Sequence, residues 1–267
     1  MSNSMPVPCT SISPRSDHER HLAGSVVPVG LVSLSDRREM YTLLRTYFSG
    51  TTRGRFEADL REKDQVILLR DAANGRVQGF STFTRNEMDI DGTNVVAFFS
   101  GDTIVDRTFW GETVLSRLWG RTIVTEAERI QTDRPATAVY WFLICSGYKT
   151  WRFLPVFFRE FHPNPEVSTT PRVRRLIDAL GAARFGAEYL PDTGVVRFRH
   201  ATPLRRGIAD ITDERLRDPR IAFFAKMNPG HAEGDELACL APLSRANLTR
   251  AGLRMIADPI DGPGDRR

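Results

Sequence analysis

Two dipeptides, Asn74-Gly75 and Asp91-Gly92, restrict what this chain can fold into more than any other local feature. Each separates runs of strand character, Gln65 to Asp71, Val77 to Met88 and Thr93 to Val105, and each offers residues that tolerate positive φ in a tight hairpin turn. Three strands so joined form an antiparallel meander. Beyond Val105, Val114, Leu115, Leu118, Trp119, Ile123, Ala127 and Ile130 recur at helical spacing up to Pro135. Ala136 to Cys145 then reads as a strand buried on both faces. A strand, a crossover helix and a further strand make a parallel pair, joined right-handedly. The expected class is α+β, with a mixed, mostly antiparallel central sheet flanked by helices.

The flanking segments follow the same logic. Ser35 or Asp36 caps a helix through Phe48, and Arg55 to Lys63 forms a second, shorter one. Tyr148 to Phe161 is expected as one helix ending before Pro163, and Thr170-Pro171 opens another, part of a helical insertion around 165–185. Pro191-Asp192-Thr193-Gly194 marks a hairpin or a kinked strand between Tyr189 and His200. Thr212-Asp213-Glu214 caps a helical stretch toward Met227, and Glu236 to Leu243 supplies a last strand. Residues 1–27, rich in Ser and Pro, read as a disordered N-terminal region, 28–257 as one domain and 258–267 as a flexible tail.

Composition excludes more than it assigns. With 37 Lys and Arg against 33 Asp and Glu, spread along the chain, there is no basic stripe to propose a nucleic acid partner. Cys9, Cys145 and Cys239 stand far apart, in neither disulfide nor metal-ligand spacing, and the five His have no i, i+4 partner, so no metal is expected. No run of about 18 apolar residues occurs, and no basic start precedes an apolar stretch, which leads to the expectation of a cytoplasmic protein with no membrane span. The oligomeric state is not readable.

The functional signal lies between Asn94 and Leu118. There an apolar strand is interrupted at Ser100-Gly101-Asp102, resumes as Thr103-Ile104-Val105, and passes through Trp110-Gly111-Glu112-Thr113 into the Val114 helix. A helix start presents N–H groups able to hold a phosphate or a developing oxyanion. The order of elements, with that interruption before the central helix, resembles the GCN5-related N-acetyltransferase (GNAT) superfamily over about Ser35 to Phe161, with Tyr189 to Leu243 as a looser continuation. The resemblance implies a GNAT-like acyl-CoA N-acyltransferase fold with a C-terminal helical elaboration. It also implies transfer of an acyl group from a thioester, carried by acetyl-CoA, a longer acyl-CoA or an acyl carrier protein, to a small-molecule amine or other acyl acceptor.

By the same resemblance, Thr103, Ile104, Val105, Trp110, Gly111, Glu112 and Thr113 bind the donor, and Tyr148 protonates the leaving thiolate. The family's loop carries an Arg or Gln and several small residues, of which Gly111 alone is present here, so the loop is degenerate. Glu112 repels phosphate, and Thr113 and Leu115 crowd the backbone.

Asp102 and Ser100 stand at the interruption as catalytic candidates, Asp102 either as a general base or as a carboxylate satisfying loop N–H groups. Tyr148 has a plain packing role as its alternative. Two other readings remain: a GNAT-like scaffold without transferase activity, and a hydrolase using Cys145, which needs a His within reach. His162, and the basic residues Lys149, Arg152 and Arg159, stand as further candidates beside a cleft. The aromatics crowding the two central segments are expected mainly in the core, with a surplus available to line an acyl pocket.

Overall fold

The computed structural model describes residues 21–257. The meander is present as expected: β2 (Gln65–Asp71), β3 (Val77–Ile90) and β4 (Thr93–Val105) pair antiparallel in succession. The turn residues Gly75 and Gly92 take φ of 71° and 75°, and Asp91 takes 53°. Before the meander stands a strand that the sequence reading missed. β1 (Leu22–Pro28) pairs with β2 from Leu22↔Asp71 to Pro28↔Gln65. Residues 22–27 are therefore strand rather than part of a disordered region. Residues 1–20, and the expected tail 258–267, lie outside the described residues.

α1 (Leu34–Tyr47) and α2 (Arg53–Arg61) fill the connection from β1 to β2. Ser33, not Ser35 or Asp36, caps α1 by accepting from the Asp36 N–H, and Thr52 does the same for α2. α3 (Val114–Asp133) crosses over to β5 (Ala138–Cys145), which pairs parallel with β4. The single helix expected from Tyr148 is two short ones, α4 (Tyr148–Trp151) and α5 (Phe153–Phe157). Pro155 is the reason, since its ring would clash with the Trp151 carbonyl in a continuous helix.

α6 (Pro171–Phe185) is capped by Thr170, and a two-residue hairpin of β6 (Tyr189–Leu190) and β7 (Val195–Val196) follows. Asp218, not Thr212, caps α7 (Pro219–Met227). β8 (Glu236–Pro242) enters the sheet between β5 and β7, and α8 (Arg250–Ala257) closes the described chain. The full strand order is β1-β2-β3-β4-β5-β8-β7-β6. Among the described residues only β4 and β5 pair parallel.

Apolar side chains cover both faces of this sheet. One face packs Ile67, Phe98, Trp141 and Leu143 against α3, α4, α5, α7 and α8. The other packs Val66, Leu68 and Phe80 against α1 and α2, and Phe99, Phe142 and Leu240 against α6. No helix among the described residues is long and apolar enough to cross a membrane.

Two local irregularities open this sheet at its centre. First, Ser81 pairs with Thr103 and Phe83 with Ser100, so one residue of β3 faces two of β4, Gly101 and Asp102. What the sequence suggested as an interruption is a β-bulge in a continuous strand. An extra residue reverses the alternation of faces. Accordingly Phe98 lies on the α3 face and Ile104 on the α1 face, although both are even-numbered. Second, pairing of β4 with β5 ends at Ser100↔Leu143, while β5 continues alongside β8 to Cys145↔Leu237. The two parallel strands part at the bulge.

Candidate active site

A cavity of about 770 Å³ occupies the parting of β4 and β5. It is lined from both faces of the sheet: by Tyr47, Phe56, Asp59, Arg184 and Phe185 on one side, and by Leu115, Ser116, Lys149 and Phe153 on the other. Among the expected donor-binding residues, Thr103, Ile104, Val105, Trp110, Gly111 and Glu112 line it, as does Asp102. Thr113 does not. It is the N-cap residue of α3, and Leu115 and Ser116 of the first turn face the cavity instead.

The bulge sets the electrostatics. Asp102 emerges beside Asp59 and Lys63, and its carboxyl is pushed up to about 7 by burial and by repulsion from Asp59, with Lys63 opposing. No hydrogen bond contributes to that balance, so the loop-capping alternative for Asp102 has no counterpart here. Glu236, at the start of β8, lines the same cavity. Burial first, then repulsion from Asp102 and Asp59, raise its carboxyl to about 8 against the pull of Ser146.

Lys63 has its side chain 1% exposed and is held by Asp59, with Nζ 2.5 Å from Oδ1 and 3.2 Å from the carbonyl oxygen. Its ammonium lies 6.0 Å from the centre of the Phe99 ring, which Arg184 also covers at 4.8 Å.

Gly101 is required at the bulge because Lys63 passes over it. A Cβ there would lie 2.7 Å from Lys63 Cε and 2.8 Å from Thr82 Oγ1. Gly101→Ala is expected to lose about 1–3 kcal/mol in urea unfolding, the usual range for an overpacked site. An unchanged midpoint would show that Lys63 moves aside freely.

Two expected catalytic residues are placed elsewhere. Ser100 is 5% exposed, and its Oγ accepts hydrogen bonds from Trp141 Nε1 at 2.9 Å and Trp119 Nε1 at 3.1 Å. It anchors two indoles and is not among the residues lining the larger cavity. Tyr148 is 4% exposed, packs in the core on the α3 face with Arg215 over its ring at 5.8 Å, and does not line the cavity either. At the start of α4 its side chain turns toward that core, the packing role weighed against catalysis.

The remaining candidates sort themselves by burial. Cys145 is fully buried, and burial together with the Cys239 thiol pushes its pKa well above the ordinary value. Burial of this kind holds a thiol in its inert, protonated form, which speaks against the hydrolase reading. His162 is also buried, its ring 3.4 Å from Thr169 Oγ1 and 3.7 Å from Glu160, outside the cavity. Arg159 donates to the Leu248 carbonyl. Of the basic residues, Lys149 reaches the site: its ammonium sits 3.8 Å from the centre of the Trp110 ring. Burial and the charges of Arg215 and Arg107 lower its pKa.

The donor-side loop has a definite shape. Trp110 Nε1 donates to the Val105 carbonyl at 2.8 Å, and Gly111 takes φ of 112°, a conformation that L side chains rarely adopt. No side chain caps α3 and no acidic residue lies in its first turn. Its leading N–H groups therefore remain available at the cavity edge, with Lys149 and Arg107 nearby and Glu112 opposing them. Among the described residues no group of His, Cys, Asp or Glu is placed to hold a metal ion.

No protein-family model and no curated protein matches this chain. Solved structures do resemble it in part. A conserved protein of unknown function from Enterococcus faecalis, described as a probable N-acyltransferase, superposes with a TM-score of 0.39 at 14% identity. That likeness covers 53% of this chain and 33% of the other, so the chain spans about a third of its length. A GNAT family N-acetyltransferase from Escherichia coli in complex with CoA gives 0.36 at 18% identity over 52% of this chain and 71% of that one. Glucosamine-6-phosphate N-acetyltransferase from Arabidopsis thaliana gives 0.33 at 15% identity, covering 49% and 88% respectively. The order of elements is the one expected from the sequence: two helices, an antiparallel meander, a crossover helix, and a parallel strand that leaves its neighbour at a bulge.

Proposed function

We propose that this protein is an N-acyltransferase that moves an acyl group from an acyl-CoA thioester to an amine. The observation that carries the reading is the parting of β4 and β5 at the bulge, where Asp102 faces a cavity open to both faces of the sheet. A donor and an acceptor can meet there from opposite sides.

The residues present fit the donor's diphosphate at the uncapped start of α3, beside Gly111 and under Lys149, in spite of Glu112. Acyl-CoA supplies the activated carbonyl at the parting. An acceptor amine is protonated in water, and Asp102, with a carboxyl near 7, is suited to take its proton close to neutral pH. Glu236, its carboxyl raised to about 8, lines the same cavity mostly protonated near neutral pH, as a hydrogen-bonding group rather than a charge. As the C–N bond forms the C–S bond breaks, and the second proton shed by the nitrogen passes to the leaving thiolate, whose ordinary thiol pKa of about 8.5 lets it depart without an acid in the place expected for Tyr148.

The test is thiol release on mixing acyl-CoA with a panel of amines, alongside thermal unfolding with acyl-CoA and free CoA. A raised midpoint with thiol release only when an amine is present supports transfer. Binding without release favours the scaffold reading, and no binding of any acyl-CoA overturns the proposal. Lys149→Ala is expected to weaken CoA binding by about 5- to 20-fold in titration calorimetry, more at low salt, because it removes a cation held over Trp110 beside the α3 start.

A further inference from the structure

Behind the bulge lies a second, smaller cavity of about 50 Å³. It shares Gly101, Thr103, Leu115, Ser116, Ile144, Thr150 and Phe153 with the larger one, so the two adjoin at the parting of the strands. Its deeper walls are Trp119, Trp141, Leu143, Phe157 and Met255, all from the apolar cluster on the α3 face or, for Phe157, packed against it, apart from Met255 of α8.

The polar groups of the deeper walls are already satisfied. Ser100 Oγ accepts from both indoles, and Ser81 Oγ pairs with Thr103 Oγ1 at 2.8 Å. Ser116, which donates to the Thr113 carbonyl, and Thr150 stand where the two cavities adjoin. A recess whose deeper walls are apolar and already paired takes apolar groups.

Resting on the acyl-transfer reading, we infer that this annex is the acyl-chain subsite, and that the protein prefers a short aliphatic acyl group longer than acetyl. The thioester carbonyl at Gly101 would place the following carbons against Ile144 and then along the paired indoles of Trp119 and Trp141, which pack on each other with ring centres 4.3 Å apart and form one wall. At about 10–15 Å³ for each water-sized group, the annex holds about three to five carbons.

Met255 sets the far wall. It is 5% exposed and sits against Gly120, where a Cβ would meet its Cε at 2.5 Å, so it has no room to retreat in that direction. α8 thereby closes a pocket whose other walls belong to the central sheet, α3 and α5.

The experiment is titration calorimetry of the full chain with free CoA and with acetyl-, butyryl-, hexanoyl-, octanoyl- and palmitoyl-CoA. Affinity is expected to rise by about fourfold per methylene from acetyl to butyryl or hexanoyl, the value of burying one CH₂, and to fall for octanoyl and beyond. Met255→Trp should abolish that gain and leave acetyl-CoA binding unchanged, whereas Met255→Ala should move the optimum to a longer chain. Thermal unfolding of each variant checks that it folds, and the series on the unaltered protein stands on its own if one does not. Equal binding of acetyl and all longer chains, or a preference that Met255→Trp leaves intact in a folded variant, overturns the subsite alone. Failure to bind any acyl-CoA overturns the acyl-transfer reading and the subsite together.

Discussion

Replacing Asp102 with Asn is expected to lower kcat/KM for amine acylation by about 10²- to 10⁴-fold, the usual contribution of a positioned general base, while acyl-CoA binding changes by no more than about twofold. The side chain keeps its size and loses only the ability to accept a proton. Because the Asp102 carboxyl is held near 7, the rate of the unaltered protein should climb between pH 6 and 8 as the carboxylate form accumulates. The Asn variant should lack that limb.

The same substitution should also stabilise the fold at high pH. Asp102 at about 7 and Glu236 at about 8 bind protons more tightly folded than unfolded, so the folded state carries the excess protons above the ordinary carboxylate range of about 4. Stability therefore falls as pH rises through that window. Asp102→Asn removes one such penalty and should gain about 1–3 kcal/mol at pH 8 in urea unfolding, with the advantage gone at pH 4. The carboxyl is half-buried, which keeps this below the full value of its shift. An Asn variant that retains both the rate and the pH limb would remove Asp102 from the chemistry.

Ser100→Ala is expected to cost about 2–4 kcal/mol of stability with an unchanged urea m-value. Its hydroxyl is the shared acceptor for two indole N–H groups, on Trp119 and Trp141, each 7% exposed. Deleting it leaves two buried donors unpaired, and each such donor costs about 1–3 kcal/mol, with some relief if water enters the adjoining void. A loss below about 0.5 kcal/mol would mean that the indoles find other partners. Activity of the folded fraction should fall far less than for Asp102→Asn, which separates an anchoring hydroxyl from a reacting one.

Much of this architecture was legible residue by residue. The Asn-Gly and Asp-Gly turns, the helical spacing from Val114 to Ile130 and the apolar run ending at Cys145 are local signals, and the elements they predict are present. β1 was hidden in a Ser- and Pro-rich stretch because its pairing partner, β2, lies some forty residues downstream and no local pattern names it. Of the site, the Gly101-Asp102 interruption and the Trp110-Gly111 loop could be read, since each is a departure from periodicity. Lys63 left only the faint mark of an i, i+4 pairing with Asp59, and Glu236 left none.

The sequence by itself determined the meander, the crossover and the residue at the bulge, because turn chemistry and side-chain period act over a few positions. Only the tertiary structure decided what those residues do. One inserted residue in β4 turns Asp102 toward Asp59 and Lys63, and β8, arriving from far along the chain, brings Glu236 to the same cavity. Tyr148 and Ser100, adjacent in sequence to the right places, are drawn into the core by the indoles and helices packed on the α3 face. Burial and like charge, which shift a carboxyl toward neutral pH, depend on which elements meet and not on neighbours along the chain.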